Sequence, residues 1–227
     1  YPTITGSTSG IGKDFAEYLA NKGMSIVLIS RTESKLIEQK KELEAKYDVA
    51  VKYLAYDFTD MGPARAEFYK QLHTLCEVMH KDGGIGLLIN NVGTVHYHPK
   101  MLMEITEEEV DAMLNCNMNS VVYMTRAVLP HMKERRNGCV VSISSGSCYA
   151  PNPFIGIYAA TKSFVTAFSR SMHVEHWGTG VDFYVATPLY VVSNLYKRQE
   201  GSLFAPLPEV FVRGVMCQLG KKKLCTC

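Results

Sequence analysis

No apolar run in the chain reaches the roughly 20 residues that a membrane-crossing helix needs, and nothing near its start reads as a secretory signal. Neither sign of charge dominates: 24 Lys and Arg stand against 22 Asp and Glu, for a net +2. That balance gives no electrostatic case for a nucleic-acid partner. The one basic run, Lys221-Lys222-Lys223, lies close to the end and reads as solvated tail. No spacing pattern joins the seven cysteines, and their odd number excludes a complete disulfide framework. Reduced thiols on the cytosolic side are expected instead. Cys225 and Cys227 lack partner ligands at metal-site spacing. Internal repeats and low-complexity linkers are missing as well.

What the chain does have is ordinary globular composition: 227 residues, 47% hydrophobic and 20% charged. That is enough for one large domain with a substantial core, and a single domain over 1–227 is expected. The chain opens with Tyr1, a few residues before a Gly-rich loop, so it reads as a piece of a longer protein.

Strand-like and helix-like stretches alternate. "PTIT" (2–5), "SIVLIS" (25–30), "VAVKYLAY" (49–56), "IGLLIN" (85–90), "CVVSIS" (139–144) and "VDFYVA" (181–186) read as strands. Pro2 is tolerable only as the first residue of its strand. Between them lie helical stretches: "KDFAEYLANKG", stopped by Gly23, then 33–47, 61–80, one long helix over 106–136, and 157–177. Continuous Val/Ile/Leu strands with helical crossovers imply a parallel sheet covered on both faces, a doubly wound, Rossmann-like α/β domain. Past Pro188 the pattern gives way to loop, with a short helix near 209–219; residues 189–213 read as a lid over the substrate.

In such sheets ligands bind at the carboxyl ends of the strands. The first strand runs into "TGSTSGIG", with Gly6, Gly10 and Gly12. Glycines there let the backbone turn tightly and approach a pyrophosphate on the next helix's N-terminus. NAD sites usually carry an acid after the second strand; this chain has Ser30, Arg31 and then Lys35. A guanidinium matches a 2′-phosphate, so NADP is preferred, with Arg31 as plain surface charge the bland alternative.

At this point the chain resembles the short-chain dehydrogenase/reductases. The resemblance rests on "TGSTSGIG", "DFT" (57–59), "NNVG" (90–93), "NCN" with Asn117, "SISSGS" with Ser145, "YAATK" with Tyr158 and Lys162, and "TPLYVVS" (187–193), all in the family's order. It implies a cofactor, NADP(H), bound along Gly6, Ser7, Thr8, Ser9, Gly10, Ile11 and Gly12, with Asp57 on the adenine and Asn91, Val92 and Gly93 along the ribose. Tyr158 and Lys162 would also touch the cofactor, and Pro188, Val191 and Ser193 its carboxamide end. Two departures stand out: Pro188-Leu189 replaces the usual Pro-Gly, and "NNVG" replaces "NNAG". These, with "VLPHM", resemble the 17β-hydroxysteroid dehydrogenases of the type that includes the very-long-chain 3-oxoacyl-CoA reductases. That resemblance implies NADPH-dependent reduction of an apolar ketone at the cytosolic face of the endoplasmic reticulum. Anchor, last strand and retrieval signal would lie outside these residues. It also implies a homodimer packed through the long helix and its successor.

A Tyr-x-x-x-Lys match alone means little: with 13 tyrosines in the chain, about one is expected by chance, and Tyr18 with Lys22 is a second instance. Only Tyr158 has the surrounding constellation. At i and i+4 on a helix, Tyr158 and Lys162 share a face. Reducing a ketone needs a proton for the carbonyl oxygen, and lowering a phenol from its usual value near 10 by about three units takes about 4 kcal/mol. An ammonium about 4 Å away supplies roughly that at an effective dielectric near 20. The expectation is therefore that Lys162 lowers the Tyr158 pKa while Ser145 holds the substrate oxygen. Ser144 and Ser147 compete with Ser145 for that part. Asn117, picked by family register over Asn115 and Asn119, would hold a water relaying protons to Lys162. His96 and His98 read as substrate contact or surface ahead of metal.

Apolar residues expected at the pocket, among them Tyr97, Tyr149, Phe154 and Tyr190, suit a bulky ketone. Steroid and acyl-CoA both remain open, with Lys197 and Arg198 as candidates for CoA phosphates. A catalytically silent NADP-binding relative is the competing reading. A hydrolase using Ser145 lacks a nucleophile elbow.

Overall fold

Six largely buried strands pair in parallel, and helical crossovers carry the chain from each to the next. The computed structural model describes residues 1–60, 62–80, 82–96, 98–192 and 205–221. The strands are β1 (Pro2–Thr5), β2 (Ile26–Ser30), β3 (Val51–Ala55), β4 (Leu87–Asn90), β5 (Gly138–Ile143) and β6 (Val181–Ala186), in the order β3-β2-β1-β4-β5-β6. The helices are α1 (Gly10–Ala20), α2 (Glu33–Tyr47), α3 (Ala64–His80), α4 (Glu107–Leu114), α5 (Ser120–Glu134), α6 (Gly156–Glu175) and α7 (Pro208–Gln218).

Central β1 registers Ile4 between Leu28 of β2 and Ile89 of β4. From β1 the chain winds outward to β3, then returns past β1 to begin β4. The sheet order therefore reverses between β1 and β4, and the crevice opens above their carboxyl ends. Two cores flank the sheet. On one face Phe15 and Leu19 of α1, Leu36 and Leu43 of α2, and Phe211, Val212 and Val215 of α7 meet Ile4 and Leu28. On the other, Phe68, Leu72 and Met79 of α3 and Met124, Val128 and Met132 of α5 meet Ile29 and Leu88.

Two expectations need correction. The helix expected over 106–136 is divided: a wide π-type turn at Asn115–Asn119 separates α4 from α5. Such an insertion widens one turn and re-aims its side chains, a device frequent at functional sites. The stretch 189–213, expected as a lid, ends in helix. Residues 193–204 lie outside the described ones, while 208–213 belong to α7, entered through Pro208 at its first turn. Phe211 and Val212 are core, because the apolar face of α7 packs on α1. Val192 N–H donates to the Pro206 carbonyl at 3.1 Å.

No helix among the described residues is long and apolar enough to cross a membrane.

Candidate functional site

The Gly-rich turn follows β1 directly. Gly6 and Gly10 take positive φ, +65° and +50°, where a side chain would be strained. Gly12 has no room for one: a Cβ there would run into the Gly6 carbonyl oxygen and the Asn91 amide. Ser9, at the N-cap of α1, makes no side-chain cap, and the helix has no acid in its first turn. Backbone N–H groups at this end are thus left to an anion, which fits a pyrophosphate. Within the turn Ser7 faces inward, its carbonyl accepting from Gln39 Nε2 at 2.9 Å. Thr8 Oγ1 hydrogen-bonds Ser30 Oγ at 2.9 Å. Ile11 packs against the core.

Thr5 organises this corner. Its hydroxyl accepts from the N–H groups of Asn91 at 3.0 Å and Val92 at 3.1 Å. Asn91 Nδ2 in turn donates to the carbonyls of Thr5 and Gly6, at 3.0 and 3.2 Å. The amide expected along the ribose is therefore occupied in bracing the glycine turn against β4. At the end of β2, Arg31 is exposed and stands 3.5 Å from the Asp57 carboxylate. Asp57 Oδ1 also accepts from the N–H and hydroxyl of Thr59. Lys35 lies exposed in the first turn of α2.

Ser145 lies two residues past β5 and caps the short 3-10 turn Gly146–Cys148, accepting from Ser147 N–H at 3.2 Å. Its neighbour Ser144 is tied to α6 instead, at 2.8 Å to both the Lys162 carbonyl and Thr166 Oγ1. Of the three serines, Ser145 is the one that faces the Tyr158 hydroxyl. Lys162 is buried. Its Nζ donates to the Ile143 carbonyl at 2.9 Å and lies 5.7 Å from the centre of the Tyr158 ring. Asn117 Nδ2 donates to Thr94 O at 2.9 Å and Thr161 Oγ1 at 3.0 Å, while its Oδ1 accepts from Thr94 N–H at 2.7 Å. A Cβ on Gly93 would sit 3.4 Å from both Asn117 Oδ1 and Lys162 Nζ, so the motifs holding these three residues converge on one spot.

The expected acidification of Tyr158 is reversed in this arrangement. Burial pushes the phenol above its ordinary value of 10, and only the Ser145 hydroxyl pulls it back. The reason is placement: the amine is directed at the Ile143 carbonyl. Burial also drives Lys162 itself down to about 8, with a small opposing contribution from Cys116. Asn117 likewise departs from expectation, since both its amide protons are spent on protein oxygens.

Of the other expected residues, Pro188 accepts from Gly146 N–H at 2.8 Å, and Leu189 covers Gly146 so closely that a Cβ there would clash. Val191 turns its side chain into the core. Tyr149 OH pairs with Thr187 Oγ1 at 3.3 Å, and Tyr190 is half-exposed. Phe154, at φ +66°, lines an apolar groove of about 490 Å³ with Met101, Leu102, Ile105, Ile157 and Ala160. From α6 the groove takes Gly156, Ile157 and Ala160, a different face of the helix from the one carrying Tyr158 and Lys162. His96 is buried, its Nδ1 hydrogen-bonded to the His98 carbonyl. Tyr97, Ser193, Lys197 and Arg198 lie outside the described residues.

Thr5, Thr94, Thr161 and Cys116 were not legible as site residues. Their contacts join segments 23 to 86 positions apart, and no spacing rule reports that.

The chain matches the short chain dehydrogenase family over residues 3–201. It is 37% identical over 222 residues to the very-long-chain 3-oxoacyl-CoA reductase of Homo sapiens, covering 97% of this chain and 68% of that one. The very-long-chain 3-oxoacyl-CoA reductase-B of Danio rerio is 36% identical over the same shares. Among solved structures, a short-chain dehydrogenase from Sphingobium yanoikuyae in complex with NADPH superimposes with a TM-score of 0.85 at 24% identity, covering 99% of this chain and 85% of that one. The bulky-bulky ketone specific alcohol dehydrogenase from Comamonas testosteroni gives 0.84 at 22% identity, over 99% and 84%.

Proposed function

Because the chain belongs to the short-chain dehydrogenase/reductase family, we propose that it reduces the ketone of a bulky apolar substrate, a 3-oxoacyl-CoA ahead of a 17-ketosteroid, with NADPH. The observation that carries this reading is the convergence of Ser145, Tyr158, Lys162 and Asn117 beside the glycine turn. The relatives of highest identity reported above are named for 3-oxoacyl-CoA reduction, which favours that substrate class.

The turn at Gly6–Gly12 and the uncapped start of α1 would hold the pyrophosphate, and Arg31 the 2′-phosphate. The hydride for the carbonyl carbon would come from NADPH held there. Ser145 donates a hydrogen bond to the substrate oxygen and Tyr158 delivers its proton there. A phenol held above its ordinary pKa keeps that proton until negative charge develops on the oxygen, which suits reduction. Lys162, buried one turn along α6 with its amine 5.7 Å from the centre of the Tyr158 ring, would favour the phenolate by its positive charge as the proton leaves. Pairing of α5 and α6 with a second copy, and a setting at the endoplasmic reticulum, go with this reading.

The test is a panel with NADPH against a 3-oxoacyl-CoA, a 17-ketosteroid and a simple aromatic ketone, with wild type and Tyr158→Phe in parallel. Turnover should be highest on the acyl-CoA and be lost in the variant. A wild type that binds NADPH and reduces none of the three would overturn the proposal in favour of a silent relative.

A further inference from the structure

Helices in this fold start at the crevice and end at the opposite edge of the sheet. At that far edge three side chains of metal-ligating type converge. His80 is the last residue of α3, and His131 and Glu134 lie three apart in the last turn of α5. One ligand atom from each lies within 4.8 Å of the others. His80 Nε2 stands 3.8 Å from the Glu134 carboxylate, and the two imidazole centroids are 5.9 Å apart. An i, i+3 pair shares one helix face, and metal-binding helices use that spacing of His and Glu.

The partner helix presents a matching stripe. His73, Glu77 and His80 recur at intervals of four and three along α3, and His131 feels His73 and Glu77 as well as His80 and Glu134. One ring nitrogen of His80, Nδ1, is buried with no hydrogen-bond partner among the described residues. A simple ion pair explains less of this. A protonated imidazole satisfies Glu134 once, and two charged imidazoles side by side repel, whereas a divalent cation uses all three donors.

We infer that His80, His131 and Glu134 form a site for a borderline divalent cation of the zinc class, with Glu77 or water in the fourth position. Two imidazoles and a carboxylate are the donors such an ion takes in tetrahedral geometry. Reaching bonds of about 2.0–2.1 Å requires the donors to close by about 1 Å, which side-chain rotation supplies at part-exposed positions. Both helices end here, so their dipoles favour a cation. The ion would clamp α3 to α5 far from Tyr158, so its effect falls on stability and not on the reduction step.

The test uses the full chain carrying Cys225→Ser and Cys227→Ser, stripped with a chelator and titrated with Zn²⁺ alone, then with Co²⁺ as a spectroscopic probe. One ion per chain is expected, with a saturable rise in Tm and the visible bands of tetrahedral cobalt. His131→Ala and Glu134→Gln should each weaken binding by about tenfold to a hundredfold or more and abolish the cobalt bands. His173→Ala should change neither. Glu134 is exposed (69% for its side chain), so Glu134→Gln keeps the test valid even if a histidine variant fails to fold. Absence of saturable binding, or Zn²⁺ and Co²⁺ affinities unchanged in Glu134→Gln, would overturn the inference. Neither result bears on ketone reduction.

Discussion

Asn117 and Thr94 grip each other twice: the Thr94 N–H donates to Asn117 Oδ1 at 2.7 Å, and Asn117 Nδ2 donates to the Thr94 carbonyl at 2.9 Å. The side-chain amide thus acts as a peptide group, pinning the loop after β4 to the wide turn between α4 and α5. In Asn117→Asp the buried carboxylate can no longer donate to Thr94 or Thr161. Urea unfolding should show a loss of about 1–3 kcal/mol, and kcat should fall on the order of a hundredfold through displacement of Lys162's surroundings.

Neighbouring serines should separate stability from turnover. Ser144→Ala removes two hydrogen bonds into α6 and should cost about 1–3 kcal/mol with kcat near wild type. Ser145→Ala should lower kcat about 10²–10³-fold with a smaller change in stability. Reversal of that pattern in paired denaturation and rate measurements would reassign the substrate hydroxyl.

Lys162 is held at a stability cost. Its pKa falls from 10.5 to about 8 through burial, which amounts to about 3 kcal/mol against the charged form. Between those two values the unfolded chain binds more protons than the folded one, so this group makes stability rise with pH across that window and contributes its full penalty below it. Lys162→Met should match or exceed wild-type stability at pH 7, lose the wild-type gain between pH 8 and 10.5, and lack activity. Urea titrations of both proteins at pH 7.5 and 9.5 check this.

At Gly12 a methyl group meets backbone, the Gly6 carbonyl, which cannot swing aside. Gly12→Ala should abolish NADPH binding, measured by fluorescence titration, and cost more than about 2 kcal/mol in stability.

Arg31 is the exposed cation at the end of β2, 3.5 Å from Asp57. Arg31→Asp should raise KM for NADPH on the order of a hundredfold and leave NADH-driven turnover little changed. Equal losses with both cofactors would mean that Arg31 supports Asp57 and does not read the phosphate.

Local signals and family resemblance together made the fold legible, because apolar runs of strand length alternating with amphipathic helical stretches allow few arrangements. Gly6, Gly10 and Gly12 were legible for the same local reason: a strand-turn-helix needs them whatever lies elsewhere. What the linear order could not report is competition for side-chain atoms. Ser144 and Ser145 are adjacent and chemically identical, and only the placement of α6 decides that one is structural and the other faces Tyr158. Tyr158 and Lys162 share a helix face by spacing alone, yet the direction of the phenol's pKa depends on where the amine finds an acceptor and how deeply both are buried. Desolvation and hydrogen-bond partnership belong to three-dimensional packing, so the sequence determined which groups are present near the crevice, and the tertiary structure decided their charge and their partners.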